Sequence, residues 1–305
     1  MNTRLASLPD RLLLGANAFQ GTNHFLKERG RARETDLAAP RIRAVLSAAV
    51  SSGATGFTFT ADDEMYSTLG GWSGEPSSRA VNLYVIYPNS KLISRLIARG
   101  TSGMLSEAMD GLRFSTRARM VVKGAWSFLL KDPYSALSTY LELETERLRV
   151  TVSPHFRLQS ILLNELLTDS IMSVGAVEVF RVFLKTTTDR LGVTPGFVTR
   201  NLPMFIKFCK SKEIRLDKIA VMTPLNPLGF QMTPDRETVE AVLRQEGELK
   251  VIGISLLAGG QVSLREALEY LSKQRLVNAL AVGASTTDQA RQTFTQLREL
   301  NARLP

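Results

Sequence analysis

Cysteine and histidine are almost missing from this chain: among 305 residues there is one cysteine, Cys209, and there are two histidines, His24 and His155. One thiol excludes a disulfide framework and a cysteine zinc site. Two histidines far apart in sequence argue against a histidine-rich metal centre, and no metal site is assigned. The segment MFIKFCKSKEI has helical spacing around Cys209 and offers no acid–base partner, so the thiol is expected to be buried and structural. No apolar run approaches the roughly 18 to 20 residues needed to cross a bilayer. The opening MNTRLASLPDRLLLGANAF has too short an apolar stretch for a leader and no small-residue cleavage pattern, so a cytoplasmic protein is expected. Basic blocks interleaved with aromatics are missing as well. The net charge of +9, from 38 basic and 29 acidic residues, is spread along the chain, and the cluster KERGRARE (27–34) is broken by glutamates. That distribution favours a small anionic or phosphorylated molecule over nucleic acid, and it leaves a homo-oligomer open.

What is present is an alternation. Short apolar, β-branched runs recur every 25 to 40 residues or so, separated by amphipathic stretches, as repeated strand–helix units require. Strands are expected near 11–19, 55–61, 82–88, 119–125, 158–165, 193–199, 218–224, 250–258 and 278–284. Helices are expected in PRIRAVLSAAVSSG, with Pro40 in its first turn and Gly53 as its stop, and in TPDRETVEAVLRQEG, with Thr233 as cap and Gly247 at its end. SLREALEYLSKQ and TTDQARQTFTQLRELNARL complete the helical set. No linker divides the chain, so 1–305 is read as one α/β domain, a (β/α)8 TIM barrel with one strand or insertion beyond the eight. The supernumerary strand is 82–88 or 119–125. A doubly wound sheet is disfavoured because GANAFQG does not supply G-x-G-x-x-G after the first strand.

In such a barrel the site lies at the carboxyl ends of the strands. The first strand runs into Asn17, Gln20, Asn23 and His24, and the second into Asp62, Asp63 and Glu64, either a metal or acid–base set or the acidic first turn of a helix, with an oxygen-rich Mg²⁺ site open at Asp62, Asp63 or Glu165. Lys123 in MVVKGAW is costly to bury charged, so it should meet an anion or act with a depressed pKa. LLNELLTD supplies Asn164, Glu165 and Asp169, with alternation allowing only one of Asn164 and Glu165 to look inward. Arg200 and Asn201 follow the sixth expected strand and Asn226 the seventh; Arg200 is a carboxylate or phosphate clamp or a salt-bridge partner of a neighbouring helix. The end of the chain carries Gly259 and Gly260 in SLLAGG and Gly283, Ser285 and Thr286 in VGASTTDQARQ, bare backbone leading into a helix, which suits phosphate. Ser285 to Asp288 also fits a capping box. His155 belongs at the opposite end of the barrel from His24.

LLLGANAFQG, GATGFTFTADDEMY and SLLAGG…VGASTTDQARQTF resemble the first-strand, FDTA-type and C-terminal motifs of the aldo-keto reductase superfamily. The likeness covers the first quarter and last sixth of the chain. It implies NADP(H) extended across the barrel mouth with its phosphate on Gly259, Gly260, Gly283, Ser285 and Thr286. It also implies an Asp–Tyr–Lys–His tetrad. Here the Asp falls on Phe59, the Tyr on Tyr66 with altered spacing, the Lys on Lys123 and the His on Asn164. Segments of the form GxNxFxGxNH, PGFVTRN and NPxGFxM resemble uncharacterised TIM-barrel proteins and add weight to Asn17, Asn23, His24, Arg200, Asn201 and Asn226.

The expectation is thus an NADP-linked oxidoreductase acting on a small carbonyl compound with a degenerate tetrad: Lys123, His24, Asn164, Glu165 and Tyr66 near the chemistry, and Asn17, Gln20, Asn23, Arg200, Asn201 and Asn226 near the substrate. The alternatives are a non-redox lyase or isomerase on a phosphorylated metabolite and a non-catalytic ligand-binding barrel. In the last case the apolar side chains of AVEVFRVFLKTTTDRL (176–191) would serve as an interface rather than pack on the barrel.

Overall fold

The computed structural model describes residues 8–19, 39–72, 81–89, 133–152, 156–273 and 277–303. Eight parallel strands close into one barrel, each paired to the next and the last to the first. They are β1 (Leu12–Gly15), β2 (Gly56–Thr60), β3 (Asn82–Tyr87), β4 (Arg157–Leu163), β5 (Thr194–Val198), β6 (Ala220–Pro224), β7 (Lys250–Ile254) and β8 (Ala279–Gly283). The segment 82–88 therefore lies in the barrel wall as β3, paired with β2 and β4. The segment 119–125 lies outside the described residues.

Alternation sorts the side chains into two layers. Leu13, Tyr84, Leu162, Val198, Met222 and Ile252 point into the barrel. Phe57, Phe59, Tyr87, Leu163, Phe197 and Val221 point outward, into the larger core beneath the helices. The barrel floor is polar: Asp10, buried just before β1, accepts from Tyr84 Oη at 2.7 Å and from Asn82 Nδ2 at 2.9 Å. An inward Tyr and an inward Asn on β3 thus share one carboxylate.

The helices are α1 (Ala39–Ser51), α2 (Asp63–Trp72), α3 (Pro133–Thr151), α4 (Glu165–Val174), α5 (Val177–Lys185), α6 (Leu202–Ser211), α7 (Arg236–Gln245), α8 (Leu264–Ser272) and α9 (Thr287–Arg303). Gly53 follows α1 at φ +119°, the left-handed stop expected of it. Two expected caps move. Helix α7 is capped by Asp235, whose carboxylate accepts from Thr238 N at 2.7 Å, while Thr233 N is tied to Arg200 O at 3.0 Å. Helix α9 is capped by Thr286, which accepts from Gln289 N at 3.2 Å, and Gln289 Oε1 reaches back to Ser285 N at 2.8 Å. The box at this helix therefore starts one residue later than Ser285. Helix α8 carries the regular box, Ser263 with Glu266.

Helix α5 settles the reading of 176–191: Phe180 and Phe183 lie 4.5 and 5.2 Å from the Phe197 ring of β5 and are fully buried. These apolar side chains pack on the barrel. Cys209, on the inner face of α6, is buried in the same layer. No helix among the described residues is long and apolar enough to cross a membrane.

Candidate functional site

At the carboxyl ends of β4 to β6 the polar residues are tied to one another. β4 stops at Leu163, so Asn164 and Glu165 do not alternate as strand residues. Asn164 caps α4 by accepting from Leu166 N at 2.9 Å, and Glu165 opens the helix. Glu165 takes the Arg200 guanidinium in two bonds, from Nη2 at 2.6 Å and from Nε at 3.3 Å. Of the two roles open to Arg200, the neighbouring-helix salt bridge is the one formed. Asp169 accepts from Thr199 Oγ1 at 2.6 Å, and burial pushes its carboxyl above the usual range against the lowering effect of that bond. Asn201 caps α6 through Met204 N at 3.1 Å. Asn226 is buried and uses both ends of its amide on Phe230, accepting from N at 2.8 Å and donating to O at 2.9 Å. It staples its own loop.

The opposite side of the mouth, formed by β8, β1 and β2, is built differently. Gly15 and Gly283 are register neighbours and both are partly exposed. They lie two residues above the inward-facing Leu13 and Ala281, so they occupy inward positions and leave them empty of side chain. Beside them the loop after β7 runs through four left-handed residues, Ser255, Ala258, Gly259 and Gly260, at φ 55°, 46°, 70° and 94°. Two of these are not glycine, which is backbone strain of the kind found at binding loops. Ser255 Oγ and Gln231 Oε1 are 3.4 Å apart, and Gln231 is itself left-handed at φ 61°. Ser285 and Thr286 are exposed at the N-terminus of α9.

No protein-family model matches the chain, and no curated protein does. Solved structures match along its whole length. A candidate aldo-keto reductase from Pseudomonas aeruginosa covers 98% of this chain and 93% of its own, with a TM-score of 0.59 at 15% identity. The glycerol dehydrogenase of Gluconobacter oxydans covers 99% and 96%, with a TM-score of 0.52 at 11% identity. The chain shares the (β/α)8 barrel fold of these proteins. Identities this low establish the fold alone.

Set on that fold, the tetrad positions fall as follows. Phe59 faces the helices, stacked 5.1 Å from Phe57 and edge-on to Tyr66, so no carboxylate enters the barrel there. Tyr66 is not at the mouth: it is buried on α2 behind β3, its hydroxyl 3.1 Å from Tyr87 Oη and 3.1 Å from Glu144 Oε2 of α3. Burial, reinforced by those neighbours, holds its pKa well above the ordinary phenol value. The strand before β4 ends Tyr87-Pro88-Asn89 and carries no lysine. Lys123, His24, Gln20 and Asn23 lie outside the described residues. Asn17 is exposed in the turn after β1.

The acidic trio after β2 serves a helix. Asp62 accepts from Met65 N at 2.7 Å, and Asp63 pairs with Arg147, whose guanidinium lies 5.6 Å over the Tyr66 ring. Among the described residues no group of three His, Cys, Asp or Glu side chains is placed to hold a metal. Sequence reasoning passed over Glu144, which sits inside a regular helix, and Thr58, one of several threonines. Only the alternation of TGFTFTA, with threonine on the inner face and phenylalanine on the outer, signalled the latter.

Proposed function

We propose that this barrel is a nicotinamide-dependent oxidoreductase that acts on a small carbonyl compound or the corresponding alcohol at the carboxyl ends of its strands. The observation that carries the reading is the glycine-lined sector of the mouth: Gly259 and Gly260 bare the backbone of the loop after β7, and Gly15 and Gly283 on the inner wall beside it leave room for the reacting ends of cofactor and substrate. An extended dinucleotide needs such bare backbone. A Cβ at Gly260 would meet no described atom within 4 Å, which supports room for a ligand at this turn. The first turn of α9 offers backbone N–H groups and its dipole to a phosphate. Gln289 occupies the Ser285 N–H in the free protein and would have to release it. NADP(H) is the favoured form: Arg291, one turn into α9 and shared with Asp288 at 3.1 Å, adds a cation at that end.

The cofactor supplies hydride when bound; the chain has to hold the substrate and a proton. Tyr66 is committed to Glu144 and does not serve as donor at the mouth. Lys123 and His24 are the proposed proton-bearing groups, and Arg200 is the proposed substrate anchor for an anionic group that displaces Glu165. The competing reading, a non-catalytic ligand-binding barrel, is favoured by the structural use of Tyr66, Asn164 and Asn226.

Calorimetric titration with NADPH and NADH tests the proposal, with Gly283→Asp as control. Micromolar binding that is lost in the variant, together with reduction of short aldehydes, supports it. Absence of binding by both nucleotides overturns it, and binding without turnover favours the non-catalytic barrel.

A further inference from the structure

Three buried threonine hydroxyls, those of Thr58, Thr68 and Thr223, have no hydrogen-bond partner among the described residues, and a fourth, that of Thr145, lies beside Tyr87. Thr68 and Thr145 sit on helices α2 and α3, and Thr223 alternates with the inward-facing Met222, so it looks toward the helix layer. Thr58 is different. Its strand neighbours Phe57 and Phe59 belong to the outer layer, and its register partners are Gly15 on β1 and the inward-facing Tyr84 on β3. A hydroxyl with no partner among the described residues, 5% exposed, therefore faces the barrel interior beside the inner positions that Gly15 and Gly283 leave without side chains.

Nothing in the backbone requires those two glycines. Gly15 is extended at φ −97°, and neither it nor Gly283 has a left-handed φ. A Cβ at Gly15 would come no nearer than 3.7 Å to a described atom, and one at Gly283 no nearer than 3.6 Å, both ordinary contacts. Gly56 and Gly196 show the contrast: a Cβ there would lie 3.0 Å from Leu13 Cγ and 2.9 Å from Leu162 Cγ, so packing itself demands glycine. The small residues at 15 and 283 thus clear space rather than fit the wall, and Thr58 borders that space.

We propose that Thr58 is the positioning residue of a small-ligand subsite, its hydroxyl holding the oxygen of a carbonyl or alcohol group lodged in the notch beside Gly15 and Gly283. This deepens the oxidoreductase reading and rests on it for the ligand class. A threonine hydroxyl both donates and accepts, so one side chain serves a carbonyl oxygen, which only accepts, and an alcohol, which also donates. Each glycine leaves room for at least a Cβ in ordinary contact with its neighbours, space that suits the reacting end of a short-chain molecule.

The test compares wild type, Thr58→Val and Thr58→Ser, using glyceraldehyde with NADPH and NADH. Valine keeps the shape and removes the hydroxyl; serine keeps the hydroxyl. The expected result is a KM for glyceraldehyde raised about tenfold in Thr58→Val with kcat within roughly threefold, unchanged NADPH affinity, and restoration by serine. An unchanged KM in Thr58→Val, or failure of serine to rescue, overturns the proposal. A readout without turnover separates it from the reductase reading: the ligand-free Thr58→Val protein should melt above wild type, because an unpaired buried hydroxyl has been removed. A lower melting temperature would mean that the hydroxyl is already satisfied in the free protein, and the proposal fails whatever the cofactor titration gives.

Discussion

The Tyr66 hydroxyl and the Glu144 carboxylate meet at 3.1 Å behind β3, with the Tyr87 hydroxyl at the same distance from the phenol oxygen. This contact joins α2 and α3 to the barrel wall through polar atoms inside a largely apolar layer. A motif residue that the family resemblance places near the chemistry is thereby used to assemble the fold.

Tyr66→Phe should therefore cost stability. Removal of the phenol leaves a buried carboxylate short of a partner, at about 1–3 kcal/mol. Urea unfolding monitored by circular dichroism measures it, and a variant as stable as wild type would contradict the contact.

Glu144 also sets a pH dependence. Burial raises its carboxyl above the usual range, with Arg147 and Tyr66 opposing. A folded-state pKa above the unfolded one means that the native state binds the proton more tightly, so this group's contribution is fully present below the unfolded value, near 4.5, and is lost as pH rises through the folded value. Glu144→Gln cannot titrate there. Its stability relative to wild type should rise from pH 4 toward pH 8, and parallel unfolding curves at the two ends would refute this.

At the barrel floor, Asp10→Ala strands the Tyr84 hydroxyl and the Asn82 amide together. The expected loss is roughly 3 kcal/mol, while Tyr84→Phe, which leaves Asn82 on the carboxylate, should lose less. Thermal unfolding of the two variants gives the order directly.

Cys209 should be silent toward thiol reagents. Its thiol is buried and burial pushes it up to about 12, so little thiolate forms at neutral pH and little of the sulfur is reachable. Labelling with a chromogenic disulfide should be negligible in the native protein and reach one equivalent in denaturant; rapid native labelling would disprove the burial.

Asn226→Ala should behave as a structural change. Both Phe230 backbone groups lose their partner, and a stability loss of about 1–3 kcal/mol is expected. Ligand affinity falling with no change in stability would instead return Asn226 to the binding surface.

Eight of nine expected strands correspond to barrel strands because their signal is local: an apolar β-branched run ended by glycine, proline or a polar residue. The alternation of GFTFT matches the two layers that the closed barrel assigns, phenylalanine outward and threonine inward. Helix stops and caps were legible to within a residue or two, since Asp235 and Thr286 each offered a competing capping group next to the one expected.

The site was less legible, because a polar residue after a strand reads the same whether it meets a ligand or its own loop. Asn164, Asn201 and Asn226 are all spent on caps and loop closure. Glu165 and Arg200, 35 positions apart, find each other only because β4 and β5 are neighbours in the sheet.

Sequence alone therefore determined the strand–helix repeat, the closed parallel barrel and the glycine-rich C-terminal loops, all of which follow from periodicity and backbone freedom over a few residues. Tertiary structure decided which of those residues line the inside of the barrel mouth. It turned Phe59 and Tyr66 away from the mouth, and it brought Gly15, Gly283 and Thr58 together across three strands, because barrel closure joins β8 to β1 and sets in register residues that no local pattern links.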